Sequence, residues 1–232
     1  MEGNIREGCY AMIGEDVYYS RPEVSNSDLL QVEKYFMPPG RVFDIENAYR
    51  FGNLIDAMIT EPHRCDHYRH RVDGVQFTAD EWKLAYSMKN SYDRDPFCQS
   101  IDKMAEGQKV MSGWMEFEYA DIRFSLEVRC KWDRWMEALK HGADIKSTVA
   151  TTQKQFEDSL NYFNYDQQRA FYMDIARMLG YPCDKDVLIG ISKVNQKIFK
   201  VPIVRDGEFY LRGKEKYTSA AFRWWYLFAN FM

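Results

Sequence analysis

Apolar and polar residues alternate strictly between positions 123 and 133, near the middle of the chain. A period of two predicts one β-strand with a buried face and a polar face. Asp133 ends the polar row, and Asp144 and Lys146 follow on what would be one face of the next strand. With residues 134–143 as the connection, the two strands would form a hairpin on which these three side chains can converge. The apolar or soft positions of the first strand are Phe124, Leu126, Val128, Cys130 and Trp132.

This pattern has two interpretations. Two carboxylates and a lysine that converge can hold a divalent metal ion against a phosphodiester. An antiparallel sheet with one solvated face shows the same alternation without any chemistry. The segments before and after the hairpin must decide between them.

Helical spacing of apolar residues surrounds this block. Ser25 and Asp28 resemble a capping box at the start of one helix, and Pro38-Pro39-Gly40 would stop it. Further helices are predicted at about 45–59, 79–92, 96–105, 153–162, 165–179 and 215–231, and strands at about 110–119, 122–133, 143–147, 187–192 and 198–204. This order predicts an α/β fold, a central mixed sheet flanked by helices, with the acidic pair on the sheet.

Composition narrows the class of protein. The chain has 232 residues, of which 46% are hydrophobic and 28% charged, so we expect a soluble globular protein. We expect a single domain over 1–232, mainly helical over 1–108 and with the sheet in 109–232. No secretory signal or membrane span is evident, so the expected location is cytoplasmic. A net charge of −4 argues against indiscriminate nucleic-acid binding but not against a nuclease with an acidic metal centre.

The helix predicted after the hairpin carries a second set of polar and aromatic residues. Gln168 and Tyr172 lie four positions apart and therefore share one helix face. Taken singly, Tyr172 could be a core aromatic and Gln168 a surface amide. In combination with Asp133, Asp144 and Lys146, however, they form an ordered pattern of residues that can be compared with known families.

In combination, these residues resemble the RecB-like and RecE-like exonuclease branch of the PD-(D/E)XK nuclease superfamily. That branch places an acid, a D-x-K strand and a helix bearing Y-x-x-Q-x-A-x-Y in this order. Asp133, Asp144-Ile145-Lys146 and Tyr165-x-x-Gln168-x-Ala170-x-Tyr172 match it. The segments Val24-Ser25-Asn26-Ser27, Gly52 to Asp56 and Glu61-Pro62 resemble the N-terminal motifs of the RecE type. The resemblance implies a restriction-endonuclease-like core.

The resemblance also implies a function and its residues. We expect a metal-dependent exonuclease on linear double-stranded DNA in phage-type recombination, in the bacterial host cell if a phage encodes it. It would work beside a single-strand annealing protein and in a trimeric or tetrameric ring. Mg²⁺ or Mn²⁺ would be held by Asp133, Asp144, Asp56 and the Ile145 carbonyl, and Lys146, Gln168 and Tyr172 would complete the catalytic set. An iron–sulfur cluster is not expected, because the five cysteines show no cluster spacing.

Two departures from the family pattern stand out. Asp56 occupies the position where the family usually has a metal-binding histidine, and Trp132 precedes Asp133 where smaller residues are usual. Carboxylate oxygen suits Mg²⁺ or Mn²⁺, so Asp56 could preserve the site. It could also mark a nuclease-fold protein that binds DNA or a protein partner without catalysis. A third possibility is an unrelated α/β protein with coincidental motifs.

Other residues gave weaker hypotheses. Glu127, on the polar face of the first strand, is either a second-metal carboxylate or a solvated residue. Arg64, Arg69 and Arg71 lie in a segment predicted as a loop, which would contact DNA phosphates or be simply solvated. Zinc binding by His63 and His67 is disfavoured, because further ligands are not defined and the arginines would repel a cation.

Overall fold

The structure is a computed structural model that describes residues 18, 20–36 and 45–229. Cys9, the Pro38-Pro39-Gly40 helix stop and the last residues of the final predicted helix lie outside this part of the chain. The helices of the described residues are α1 (Asn26–Phe36), α2 (Ile45–Thr60), α3 (Ala79–Arg94), α4 (Pro96–Asp102), α5 (Gln153–Tyr162), α6 (Tyr165–Met178) and α7 (Glu208–Trp224), with a 3₁₀ turn at Pro62–Arg64 and a π-helical turn at Trp225–Ala229.

The strands form a small sheet and a large one. β1 (Cys65–Asp66), β2 (Arg71–Val72) and β3 (Val75–Gln76) make the small antiparallel sheet. β4 (Glu106–Tyr119), β5 (Ile122–Met136), β6 (His141–Thr148), β7 (Lys185–Ser192) and β8 (Ile198–Val204) make the large one, in chain order. All neighbours in the large sheet are antiparallel except β6 and β7, so the sheet is mixed, as predicted.

Helices cover both faces of the large sheet, and each face has its own hydrophobic core. Apolar side chains of α1, α5, α6 and α7 pack on one face, and those of α2, α3 and α4 pack on the other. The alternation along β5 explains one core directly, because every apolar position predicted for its inner face is buried there. The α/β fold class predicted from the sequence is therefore confirmed. The single-domain extent stays a prediction.

The predicted hairpin between Asp133 and Asp144 is present. β5 and β6 pair antiparallel from Arg134 and Ala143 to Met136 and His141, and the chain turns between them. The pairing stops at Arg134 and Ala143, so β5 and β6 separate just where the two acids begin. The parallel β6–β7 pair continues past this point to Thr148 and Ser192.

Helix α1 begins as its sequence predicted. The backbone N–H and hydroxyl of Ser25 both donate to Asp28 Oδ2 at 2.8 Å, and Asp28 N–H donates back to Ser25 Oγ at 3.3 Å. This reciprocal pair satisfies donors that the first helical turn leaves free.

Two local predictions were wrong. The segment around Arg64, Arg69 and Arg71 was expected as a plain loop, but a 3₁₀ turn and the short strands β1 and β2 flank a turn at 67–70 there. Two-residue strands are too short to show a period, so the pattern could not reveal them. Helix α7 begins at Glu208 and not near residue 215, because Gly207 closes a turn on Val204 and Tyr210 is already buried. No helix in the described ranges combines the length and apolarity needed to cross a bilayer.

Candidate active site

Three carboxylates approach one another where β5 and β6 separate. In the hairpin register, Asp133 and Asp144 would be the next pair after Arg134 and Ala143. The ladder ends instead, and Asp133 Oδ2 accepts a hydrogen bond of 2.7 Å from Ile145 N–H. The N–H and C=O of one strand residue point to the same side, so the Ile145 carbonyl also faces β5. Asp133, Asp144 and the Ile145 carbonyl are thus brought to one place.

Asp56 approaches from α2. Its Oδ1 accepts hydrogen bonds from the Thr60 hydroxyl at 3.1 Å and from Gln108 Nε2 at 3.3 Å. Burial raises the pKa of Asp56, and the charge of Lys131 opposes that rise. Sequence reasoning missed Gln108 and Lys131, because neither belongs to a recognised motif.

The carboxylates influence one another strongly. Burial raises the pKa of Asp133 well above its usual value, and the negative charges of Asp144 and Asp56 raise it further. A divalent cation among these groups would relieve this repulsion. The raised pKa of Asp133 therefore shows that negative charge is crowded at this point, which suits a cation.

Lys146 supplies positive charge at the same point. Its Nζ lies 2.6 Å from Asp144 Oδ2 and 5.0 Å from the ring centroid of Tyr165. Burial alone would lower the pKa of Lys146, but Asp144, Tyr165 and Asp133 together outweigh it and the pKa is raised. The lysine is therefore held as an ammonium ion between a carboxylate and an aromatic face.

Arg169 is a further residue of the candidate site that the sequence pattern did not reveal. Its guanidinium is fully buried, and Nη1 donates to Asp144 Oδ1 at 2.8 Å while Nε donates to Asp186 Oδ2 at 2.6 Å. Burial disfavours the cation, but Asp186 and Asp144 outweigh it and raise the pKa of Arg169. Arg169 thereby fixes the orientation of Asp144. Its neighbour Gln168 carried the recognised motif, and nothing local marked the arginine as buried.

Trp132 and Tyr172 enclose this arginine. The Arg169 guanidinium lies 4.5 Å from the Trp132 ring centroid and 4.8 Å from that of Tyr172. The two rings meet edge to face at 5.5 Å. Trp132 also packs on Gly142, where an added Cβ would lie 1.8 Å from the indole. Trp132 thus has a structural reason in this chain, because its ring covers the arginine that holds Asp144.

Gln168 and Tyr172 differ in their burial and in their contacts with the candidate site. Tyr172 is buried, and burial raises the pKa of its hydroxyl. Gln168 is half-buried on the same helix, and its Oε1 meets no hydrogen-bond donor from the described residues. Tyr172 contacts Arg169, which holds Asp144, whereas Gln168 makes no such contact among the described residues.

Several predicted residues lie away from the cluster. Glu127 is exposed and lies six residues before Asp133, or about 20 Å along the strand. Its carbonyl accepts a hydrogen bond from Val24 N–H. Arg64 is paired with Glu61 and Asp73, and Arg71 donates to Gln76. Only Arg69, of the three predicted arginines, is exposed with no side-chain bond to a described residue. His67 and His70 pack on Trp82.

Lys193 is a further cation near the cluster. It follows the end of β7, three residues beyond the position paired with Lys146, or about 10 Å along the strand. Its Nζ lies 4.4 Å from the ring centroid of Phe51 on α2, and burial lowers its pKa. No carboxylate of residues 18, 20–36 or 45–229 pairs with it. A lysine without an acidic partner beside this cluster is suited to a substrate phosphate.

The donor set fits a hard divalent cation. Asp144 Oδ2 is buried and meets the Lys146 ammonium at 2.6 Å as an ion pair. Mg²⁺ prefers oxygen ligands and usually binds through one or two carboxylates while keeping several waters. Asp133 and Asp144 could supply these, with the Ile145 carbonyl and Asp56 near. Within the described ranges, no three carboxylate, imidazole or thiol groups lie close enough to form a metal site, so Asp56 does not complete a three-carboxylate set with Asp133 and Asp144.

Comparison with known proteins places this geometry in context. A solved structure from Eubacterium rectale, described as a candidate exonuclease, is 16% identical with a TM-score of 0.54, over 83% of this chain and 71% of that one. A phage-related exonuclease from Haemophilus somnus 129PT is 12% identical with a TM-score of 0.40, over 88% of this chain and 95% of that one. The first likeness supports the fold alone. None of the curated proteins matches the sequence.

A protein family matches most of the chain. The family is described as a PDDEXK-like domain of unknown function, DUF3799, and the match covers residues 40–201. This span includes Asp56, Asp133, Asp144, Lys146, Gln168 and Tyr172. The resemblance to PD-(D/E)XK nucleases is confirmed, and the protein belongs to this PDDEXK-like family.

Proposed function

We propose that the protein is a metal-dependent deoxyribonuclease that hydrolyses phosphodiester bonds. The observation that carries this proposal is the approach of Asp56, Asp133, Asp144 and Lys146 at the point where β5 and β6 separate. A PDDEXK-like family and a fold shared with a candidate exonuclease support it. In a PDDEXK-like protein, carboxylates that can bind a metal ion and a nearby lysine are suited to phosphodiester hydrolysis.

The residues divide the work by position. Mg²⁺ or Mn²⁺ held by Asp133, Asp144 and the Ile145 carbonyl would supply Lewis-acid activation of the phosphodiester and of a water molecule. Asp56 adds negative charge to this centre. Lys146, as an ammonium ion, donates to the phosphate and stabilises the charge that develops on it. Arg169 orients Asp144, Tyr172 supports Arg169, and Gln168 positions the substrate backbone.

The finer function is an exonuclease on linear double-stranded DNA, in phage-type recombination. The description of the Eubacterium rectale structure as a candidate exonuclease favours an exonuclease over an endonuclease. A single-strand annealing protein as partner and a trimeric or tetrameric ring remain part of this proposal, as does the cytoplasm of a bacterial host as its place of action.

A non-catalytic DNA- or protein-binding relative is the second candidate. The observation that favours it is the state of Asp144, whose two oxygens face Arg169 and Lys146. These two cations compete with a metal ion for the carboxylate. In an active enzyme, Asp144 would hold the metal on the side that Lys146 approaches, while Arg169 would keep its hydrogen bond to Oδ1.

Incubation of linear and covalently closed duplex DNA with the protein separates the candidates. We expect loss of linear DNA only, with Mg²⁺ or Mn²⁺ and not with chelator, and none with Asp144→Ala or Lys146→Ala. Asp158→Ala is the matched control, because Asp158 is an exposed helix acid that pairs with Lys154. Cutting of closed circles would instead indicate an endonuclease. DNA binding without cleavage would overturn the enzyme proposal.

A further inference from the structure

An exposed group of aromatic rings leads from the protein surface to Lys146. We call Tyr162, Phe163 and Tyr165 the aromatic step. Phe163 stacks on Tyr165 with ring centroids 5.6 Å apart and an interplanar angle of 27°, and Tyr162 meets Phe163 edge-on at 5.0 Å. At the other end of the step, Lys146 Nζ lies 5.0 Å from the ring centroid of Tyr165. The rings are thus continuous with the candidate phosphate-binding lysine.

The outer rings of the step face solvent. Tyr162 is 60% exposed and Phe163 is 53% exposed, although both are large apolar side chains at the junction of α5 and α6. A third exposed aromatic, Tyr49 on α2, lies near enough to Tyr165 to affect the ionisation of its hydroxyl. Exposed aromatic rings beside positively charged groups are a feature of proteins that bind single strands by stacking on their bases.

The backbone beneath the step is held in place. Asn164 joins α5 to α6 in the left-handed region with a φ of 53°. Lys216 of α7 donates to the side chains of Asn161, Asn164 and Asp166 at 2.9 to 3.0 Å, which ties this turn to the body of the protein. The step is therefore a fixed platform, and a base that stacks on it does not first have to order a loop.

We propose that the aromatic step binds an unpaired nucleobase of the DNA strand whose phosphate lies at Lys146. Within one nucleotide the base and the phosphate are neighbours, so a base on Phe163 belongs to a nucleotide next to the reacting phosphate. The faces of paired bases inside a duplex are covered by their neighbours. The step therefore selects strand ends whose terminal base is unpaired, and this substrate preference rests on the proposed nuclease function.

The test measures stacking without hydrolysis. An oligonucleotide duplex carries 2-aminopurine as an unpaired terminal base, and its fluorescence is titrated with the full chain in chelator. We expect quenching by the wild type and by Phe163→Trp. With Phe163→Leu, which keeps apolar volume but removes the π-face, we expect loss of the quenching and roughly tenfold weaker binding, the effect of one stacked base. Tyr86→Leu, on an α3 residue that is 52% exposed, is the matched control and should equal the wild type.

The outcomes separate this inference from the proposed function. Equal quenching and equal affinity for wild type and Phe163→Leu overturn the inference, whether or not the protein cleaves DNA. Absence of quenching by the wild type overturns it as well. Stacking that depends on Phe163, in a protein that cleaves no DNA with Mg²⁺ or Mn²⁺, supports the aromatic step and contradicts only the nuclease proposal. A thermal midpoint of Phe163→Leu within a few degrees of wild type verifies that the fold is intact.

Discussion

The position of Asp133 in the candidate site lowers the stability of the folded protein. Asp133 is confined near Asp144 and Asp56, and its pKa is raised. A carboxyl group with a raised folded-state pKa stabilises the fold when protonated and loses that contribution as the pH rises through this pKa. At neutral pH, the ionised group therefore works against folding unless a cation is bound.

Replacement of Asp133 by Asn should stabilise the protein in chelator. The amide oxygen can still accept from Ile145 N–H, while the charge is gone. We expect the free energy of unfolding at pH 7.5 to rise by on the order of 1 kcal/mol, and the difference from wild type to shrink at pH 5. Urea denaturation at both pH values measures this. Asp158→Asn should change little, and a variant less stable than wild type at pH 7.5 would contradict the argument.

The sequence revealed part of the site at this scale. Asp133, Asp144 and Lys146 could be predicted because strand alternation fixes which side chains share a face. Arg169 could not, because its burial depends on Asp186, which arrives from another strand. Asp56 was found only through the family resemblance, since a single acid on an amphipathic helix carries no signal of its own.

At the scale of elements, long periodic segments were predictable and short ones were not. The strands and helices around the hairpin were found to within a few residues because their apolar faces are long. The small sheet of β1, β2 and β3 was missed for the opposite reason. Packing between elements also lay beyond the sequence, and the contact of Trp132 on Gly142 is the clearest case.

Gly142→Ala should disturb the hairpin and the site together. The new methyl group would lie 1.8 Å from the Trp132 ring, so the indole must move away from Arg169. We expect a loss of about 1–3 kcal/mol in the free energy of unfolding, with reduced nuclease activity. Gly52→Ala is the control, because no described side chain or neighbouring element lies within 4 Å of its added Cβ. Equal stability of both variants in chemical denaturation would show that Trp132 moves freely.

The net charge of the whole molecule is negative, although its proposed substrate is also negatively charged. The chain carries a net charge of −4, so DNA binding must rely on a few local cations. Lys193 is suited to this because it has no acidic partner among the described residues and lies near the end of β7. Its contact with the ring of Phe51 places it beside α2.

Lys193→Ala should weaken DNA binding by removing one phosphate contact. We expect lower affinity for duplexes of any sequence and a salt slope reduced by about 1. Fluorescence anisotropy with labelled DNA in chelator, over a series of salt concentrations, measures both. Lys154→Ala removes an exposed lysine that pairs with Asp158 and should leave the slope unchanged. An unaltered slope for Lys193→Ala would exclude Lys193 from the DNA interface.

The parallel pairing of β6 with β7 has a consequence for the order in which the site forms. The hairpin brings Asp133 and Asp144 together through a short turn, whereas β7 can pair only after residues 149–184 cross over the sheet. Contacts between distant parts of a chain form late in folding because loop closure costs entropy. The acidic strands can therefore pair before α6 docks, and Arg169 reaches Asp144 afterwards. We therefore expect Arg169 and Asp186 to orient Asp144 only in this last stage, after the hairpin has formed.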